Sequence, residues 1–138
     1  MTTARVAVPA AAILLAATAA GAVARQAPRH VQLRLAEFQI SPTAATAAHG
    51  RLTLRVVNRG TETHEVLVVK AGGGLPTRNG RVDEEALKRA GRFVGEIPDV
   101  KRGAAASHTF NLKSGTYVLL CNLPGHYRSG MHATLTVR

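Results

Sequence analysis

The chain has 138 residues and a net charge of +10, from 18 lysines and arginines against eight aspartates and glutamates. This length is typical of a single domain. The positive balance favours acidic partners or anionic surfaces, whereas scattered basic residues and few aromatic side chains argue against a nucleic-acid-binding face.

The first 24 residues differ in composition from the rest. Arg5 is their only charge, alanine dominates residues 6–24, and the small residues up to Ala24 suit a cleavage site. These features are typical of a secretory signal peptide. An uncleaved anchor is the alternative, because the apolar run is close to the shortest length that spans a bilayer, although Pro9 interrupts it. We expect a signal peptide over 1–24, one domain over 25–138, and a monomer that is periplasmic or secreted.

Short alternating stretches separated by turn signals predict an all-β domain. Polar and apolar residues alternate in 31–38 and 51–57, and apolar β-formers fill 64–70 and 116–121. Such a series favours a Greek-key β-sandwich of about seven to eight strands. The predicted strands are 31–38, 51–57, 64–70, 93–97, 107–112, 116–121 and 131–137. The predicted loops and turns are 43–50, 58–60, 71–80, 98–103, 113–115 and 122–125.

One short helix interrupts this pattern. Asp83 has the character of an N-cap, and Glu84 and Glu85 follow it, where acidic residues complement the helix dipole. Lys88 suits the opposite end of the helix, and Gly91 can terminate it. The sequence therefore predicts a single helical insertion between the strand 64–70 and the strand 93–97.

The segment from Cys121 to Met131 contains the candidate functional side chains. It holds the only cysteine and the only methionine apart from Met1, and His126 lies midway between them. A thiolate, an imidazole and a thioether are soft and borderline metal ligands, and a blue-copper centre requires two histidines, one cysteine and a weak axial methionine. His64, at the start of a predicted strand, is the candidate for the second histidine.

Each of these residues also has an interpretation that needs no metal. A cysteine at a strand end can be a small buried apolar residue, Cys121 and His126 could form a nucleophile and its base, and a methionine often fills a gap in the core. The C-x4-H-x4-M spacing in an exported chain favours metal binding instead. With one cysteine the chain cannot form an internal disulfide, so the thiol is free, intermolecular or metal-bound. The other histidines, which we do not expect to be ligands, are His30, His49, His108 and His132.

The sequence resembles the cupredoxins, the plastocyanin and azurin superfamily, over residues 31–138. The segment 121–131 resembles their copper-binding loop, 58–65 resembles the segment with the first histidine, and 37–42 resembles an early strand. The resemblance implies one type 1 copper ion, Cu(I)/Cu(II), with His64, Cys121 and His126 as main ligands and Met131 axial. Glu65 departs from the family, where an asparagine often follows the first histidine and ties the two ligand loops together.

The resemblance implies a single-electron carrier between redox proteins and not an enzyme, since four protein ligands leave no open position on the metal. Its partners would be acidic redox proteins that approach an exposed edge of His126, with Leu123 and Tyr127 as contacts. The alternative function is copper binding and delivery without electron transfer. A hydrolase would need a carboxylate to orient His126, and none is near in sequence. A binuclear copper centre would need a second cysteine.

Overall fold

The structure is a computed structural model that describes residues 26–138. The predicted signal peptide lies outside the described residues. Within them, no helix combines the length and apolar character needed to cross a bilayer.

Two β-sheets pack face to face and form a sandwich, as the sequence predicted. The first sheet has the order β2-β1-β4-β9, and the second has the order β3-β11-β10-β5-β8. The first sheet contains β1 (His30–Ala36), β2 (Gln39–Pro42), β4 (Gly50–Asn58) and β9 (Ala105–Leu112). The second contains β3 (Thr46–Ala47), β5 (His64–Lys70), β8 (Phe93–Val100), β10 (Gly115–Leu120) and β11 (His132–Val137).

The core lies between the two sheets, where alternate residues of each strand point inward. In β1, Leu33 and Leu35 are fully buried, whereas Gln32 and Arg34 are exposed. Phe110 and Leu112 of β9 face inward as the alternation predicted. Cys121 and Met131 belong to the same apolar cluster as these side chains, so two of the four predicted metal ligands are part of the core.

The insertion between β5 and β8 consists of a small hairpin and one helix. The hairpin pairs β6 (Thr77–Arg78) with β7 (Arg81–Val82), and the helix α1 spans Glu84–Arg89. Asp83 is the N-cap, and its carboxylate accepts a hydrogen bond from the backbone N–H of Ala86, as the sequence predicted. Leu87 anchors the helix in a second apolar cluster against β5 and β10.

Among residues 26–138 the two sheets contain nine strands, more than the seven to eight expected, because short strands escape a pattern search. The predicted strand 31–38 ends at Ala36, and a separate strand, β2, follows it. The two-residue strand β3 lies in the alanine-rich stretch 43–50, for which a loop or a poor strand was expected. Strand β8 also continues through Pro98, where the sequence predicted a turn. Strand β8 lies at the edge of its sheet. Prolines are tolerated in edge strands, because the missing N–H need not deprive a neighbouring strand of a hydrogen bond.

The strands give the sandwich two distinct ends. Strand β1 runs parallel to β4 and finishes beside Glu37, at the end where β5 begins with His64 and β10 leads into Cys121. At the other end, the backbone of Arg138 exchanges hydrogen bonds with Ala47 and His49. The first end is called the metal end below.

Candidate metal centre

Three donor atoms from distant parts of the chain converge at the metal end. The Nδ1 atoms of His64 and His126 lie 3.2 Å apart, and the Sγ of Cys121 lies 3.4 Å from the Nδ1 of His126. All three donor atoms lie within 4.8 Å of one another, and all three residues are buried. Donors about 2.0–2.3 Å from one ion are roughly 3.3–3.8 Å apart at tetrahedral or trigonal angles, so the cluster matches a mononuclear site.

His64 is held by its strand and by Glu37. It opens β5, and the pairing with β8 shifts register between His64 and Val66, an irregularity that can redirect a side chain. Its Nε2 lies 3.2 Å from the Glu37 carboxylate, which leaves Nδ1 to face the centre. Burial lowers the pKa of His64. The neutral ring that burial favours is the form that binds a metal.

Asn58 fixes the loop that precedes His64. Its side chain donates to the carbonyl oxygens of Glu62 and Val100 at 2.7 and 2.8 Å, and accepts from the backbone N–H of Gly60 at 2.9 Å. The Asn58 side chain therefore closes the predicted turn after β4 with three hydrogen bonds. It carries Glu62 to the metal end, two residues before His64.

His126 lies on the loop between β10 and β11. Gly125 before it adopts φ +84°, a conformation that favours glycine. The Nε2 of His126 lies 3.0 Å from the Glu62 carboxylate, and the ring of Phe38 contacts its edge, with centroids 5.1 Å apart. The residue is only 7% exposed. The exposed edge expected from the sequence is therefore wrong, because Glu62 and Phe38 cover it.

Cys121 and Met131 close the base of the same loop. The backbone N–H of Cys121 donates to the carbonyl of Met131, and the N–H of Met131 donates to the carbonyl of His126, both at 3.1 Å. Burial raises the pKa of the Cys121 thiol, while hydrogen bonds from the backbone N–H groups of Glu65 and Leu123 lower it. A thiol must lose its proton to bind a metal, and these two donors would stabilise the resulting thiolate.

Asn122 joins the ligand loop to the insertion. Its side chain pairs with both backbone groups of Val82, at 2.7 and 3.0 Å, and also donates to Glu84 at 2.8 Å. Its carbonyl oxygen accepts from Arg81 at 2.7 Å, and its backbone N–H donates to the carboxylate of Glu65 at 3.1 Å. Glu65 thus bridges the two ligand loops, which is the task of the asparagine that the family often has there.

The donor set fits copper better than the harder cations. Two imidazoles and one thiolate suit copper, whereas carboxylates, carbonyls and water suit calcium and magnesium. Met131 is fully buried in the cluster that also contains Cys121. The four residues resemble a type 1 copper site. Their role as metal ligands stays a prediction.

The sequence did not reveal the residues around the histidines. Glu37 and Phe38 precede β2, and Glu62 lies in a turn, so nothing in their spacing linked them to a histidine. The only available signal was proximity, since Glu62 lies two positions before His64. Asn122 was read as part of a turn signal, and its pairing with Val82 spans forty residues.

Residues 44–138 match the sulfocyanin (SoxE) domain family. Reduced auracyanin from Roseiflexus castenholzii is a similar solved structure, with 22% identity, 81% of this chain and 98% of that chain covered, and a TM-score of 0.60. Auracyanin B follows with 24% identity, coverage of 79% and 88%, and a TM-score of 0.58. Rusticyanin from Thiobacillus ferrooxidans has 16% identity, coverage of 81% and 79%, and a TM-score of 0.55. A comparison with curated proteins gives no match.

The family match covers more than half of the chain and contains His64 and the whole ligand loop. The similar solved structures independently show the same fold. The chain therefore belongs to the sulfocyanin (SoxE) domain family and is a blue copper protein of the cupredoxin superfamily.

Proposed function

We propose that this chain is a single-electron carrier that holds one copper ion with His64, Cys121, His126 and Met131. The observation that carries the proposal is the convergence of two Nδ1 atoms and one thiol sulfur in a buried cluster. Copper bound there supplies one-electron chemistry, between its +1 and +2 states. The protein's contribution is to hold the donors in one arrangement, so that transfer requires little movement.

The burial of the ligands supports electron transfer over copper delivery. A delivery protein must expose its ligands so that they can exchange, but His64, Cys121 and Met131 have no exposed surface. The Nε2 atom of each histidine is also within hydrogen-bonding distance of a carboxylate oxygen. Hydrolysis is disfavoured as well, because a buried thiol with a raised pKa is a poor nucleophile.

The experiment that tests this function compares wild type with Met131→Leu. Wild-type protein loaded with Cu(II) should absorb intensely in the visible range and undergo a reversible one-electron reduction. Met131→Leu should retain the copper but have a higher reduction potential, since a donating thioether stabilises the oxidised state and leucine cannot donate. Redox titration monitored by the visible absorption measures both proteins. An irreversible reduction of wild type would favour the delivery function, and equal potentials would make Met131 a core residue.

We further propose that acidic redox proteins dock at the metal end. Exposed arginines lie in the turn after β4, in β7 and in the loop between β10 and β11, and the apolar side chains of Phe38, which contacts His126, and of Pro124 are exposed as well. Phe38, at 37% exposure, is the one large apolar side chain classed as exposed among residues 26–138. Small apolar contacts surrounded by charge are usual for transient electron-transfer encounters. The three arginines are Arg59, Arg81 and Arg128.

The docking model predicts opposite salt effects for reagents of opposite charge. Oxidation by hexacyanoferrate(III) should slow with salt, and reduction by hexaammineruthenium(II) should accelerate, because the Debye length falls from roughly 30 Å at 0.01 M to 10 Å at 0.1 M. Pro124→Glu should slow the hexacyanoferrate reaction about tenfold at low salt. Ser114→Glu, which adds the same charge at the other end of the sandwich, is the control. Stopped-flow rates that respond equally to both variants would contradict docking at the metal end.

The composition of residues 1–24 supports a location outside the cytoplasm. We propose that residues 1–24 direct export and that residues 25–138 act as one monomeric domain in the periplasm or after secretion. A copper thiolate site is also compatible with an exported chain, because Cys121 has no second cysteine with which to form an internal disulfide.

A further inference from the structure

Each histidine of the cluster contacts a different carboxylate. The Nε2 of His64 lies 3.2 Å from an oxygen of Glu37, and the Nε2 of His126 lies 3.0 Å from an oxygen of Glu62. In each ring the other nitrogen faces the cluster. A carboxylate on the outer nitrogen of a metal-binding histidine fixes the tautomer and the ring orientation, and makes the ligand more basic.

The Glu37 carboxylate is held in place by the backbone of the turn after β4. The oxygen that faces His64 also accepts hydrogen bonds from the backbone N–H groups of Thr61 and Glu62, at 2.6 and 2.8 Å. The backbone of Gly60 packs so closely against this carboxylate that a side chain at that position would collide with it. An oxygen that accepts from two backbone N–H groups is held as a carboxylate acceptor and not as a protonated O–H.

Glu62 reaches the second histidine from the same turn. Its backbone N–H binds Glu37 and its side chain binds His126, so one hydrogen-bonded unit carries both carboxylates. The two differ in their access to water, since the side chain of Glu37 is 27% exposed and that of Glu62 is 54% exposed. One carboxylate thus contacts each histidine of the pair.

We propose that Glu37 and Glu62 are positioning residues that hold the two histidines for the metal and favour Cu(II) over Cu(I). The inference rests on the proposed copper carrier. A fixed negative charge near the site stabilises the doubly charged ion more than the singly charged one, and a more basic imidazole acts in the same direction. The reduction potential of the site is therefore lower than its four ligands alone would set.

The two carboxylates respond differently to salt. Exposed charges are screened as ionic strength rises, and partly buried charges are screened much less. The contribution of Glu62 should therefore shrink between 0.01 M and 1 M salt, whereas that of Glu37 should persist.

The experiment replaces each carboxylate by its neutral isostere in the full domain. Glu37→Gln and Glu62→Gln keep an oxygen that can accept from the histidine but remove the charge. We expect Glu37→Gln to lower the ratio of Cu(II) to Cu(I) affinity about tenfold, which for one electron is a rise in potential of about 59 mV. Glu62→Gln should raise the potential less, and its effect should fade in high salt. Glu85→Gln, an exposed charge removed on α1, is the matched control and should leave the potential unchanged.

Three further readouts accompany the potential: the visible spectrum, the Cu(II) affinity and the melting temperature of the metal-free protein. A lower melting temperature with an unmoved potential in both variants would make the carboxylates structural only and overturn the inference. Potentials that move no more than that of Glu85→Gln, or that fall, would overturn it as well. A wild-type protein without a visible band would overturn the copper carrier itself, so the two failures are distinguishable.

Discussion

Replacing Cys121 with serine is expected to abolish the intense visible absorption of the Cu(II) protein completely. The absorption arises from charge transfer between a thiolate and copper, and this sulfur is the one thiol in the chain. Serine has nearly the same volume, so the core around it should remain packed. The measurement is the visible spectrum after Cu(II) addition, together with the melting temperature of the metal-free variant.

The Cys121→Ser variant shows whether Cys121 is a metal ligand or only a core residue. A folded variant without the absorption band is the expected outcome, and its potential should no longer be measurable as a reversible one-electron couple. Retention of the band would mean that the sulfur does not bind the metal. Cys121 would then be a small apolar core residue, as cysteines at strand ends usually are.

The second large effect is expected at Asn122. Asn122→Ala removes three side-chain hydrogen bonds and leaves the buried backbone N–H and carbonyl of Val82 without their partners. Each unsatisfied buried group costs about 1–3 kcal/mol, so we expect the free energy of unfolding to fall by about 2–4 kcal/mol. Urea denaturation of the metal-free protein measures it.

Asn111→Ala is the matched control, because Asn111 is an exposed asparagine on β9. This variant should change the free energy of unfolding by less than about 0.5 kcal/mol. Equal losses in the two variants would contradict the role of Asn122 as the link between the insertion and the ligand loop. Asn122→Ala should also broaden the visible band, since Cys121 is its immediate neighbour.

Features with a local signal could be predicted from the sequence. Alternation identified the strands around Leu33, Leu54 and Phe110, and the N-cap at Asp83 located the helix. The spacing of Cys121, His126 and Met131 identified the ligand loop for the same reason, because a single hairpin end carries all three. Strand β8 was cut short at Pro98, since a sequence pattern does not show which strand lies at a sheet edge.

Features that depend on long-range contacts could not be predicted. Glu37 meets His64 across 27 positions, and Glu62 meets His126 across an even longer stretch of chain, from residue 62 to residue 126. Neither contact has a periodicity, and a glutamate in a turn is usually solvated. The predicted exposure of His126 was wrong because a loop position alone does not reveal what covers it. Glu65, which departs from the asparagine often found there in the family, links the two ligand loops through the backbone N–H of Asn122.

The two ends of the sandwich give the molecule an orientation. Residues 29–30 and Arg138 lie at the end opposite the metal end, and the seven residues of β1 span about 20 Å between the two. A tether at residue 26, or a tag after Arg138, would therefore leave the copper face pointing away from whatever holds the protein. On an electrode, immobilisation through residue 26 or through Arg138 would turn the end opposite the metal end toward the surface. Fast current would instead require attachment through Pro124 or its neighbours.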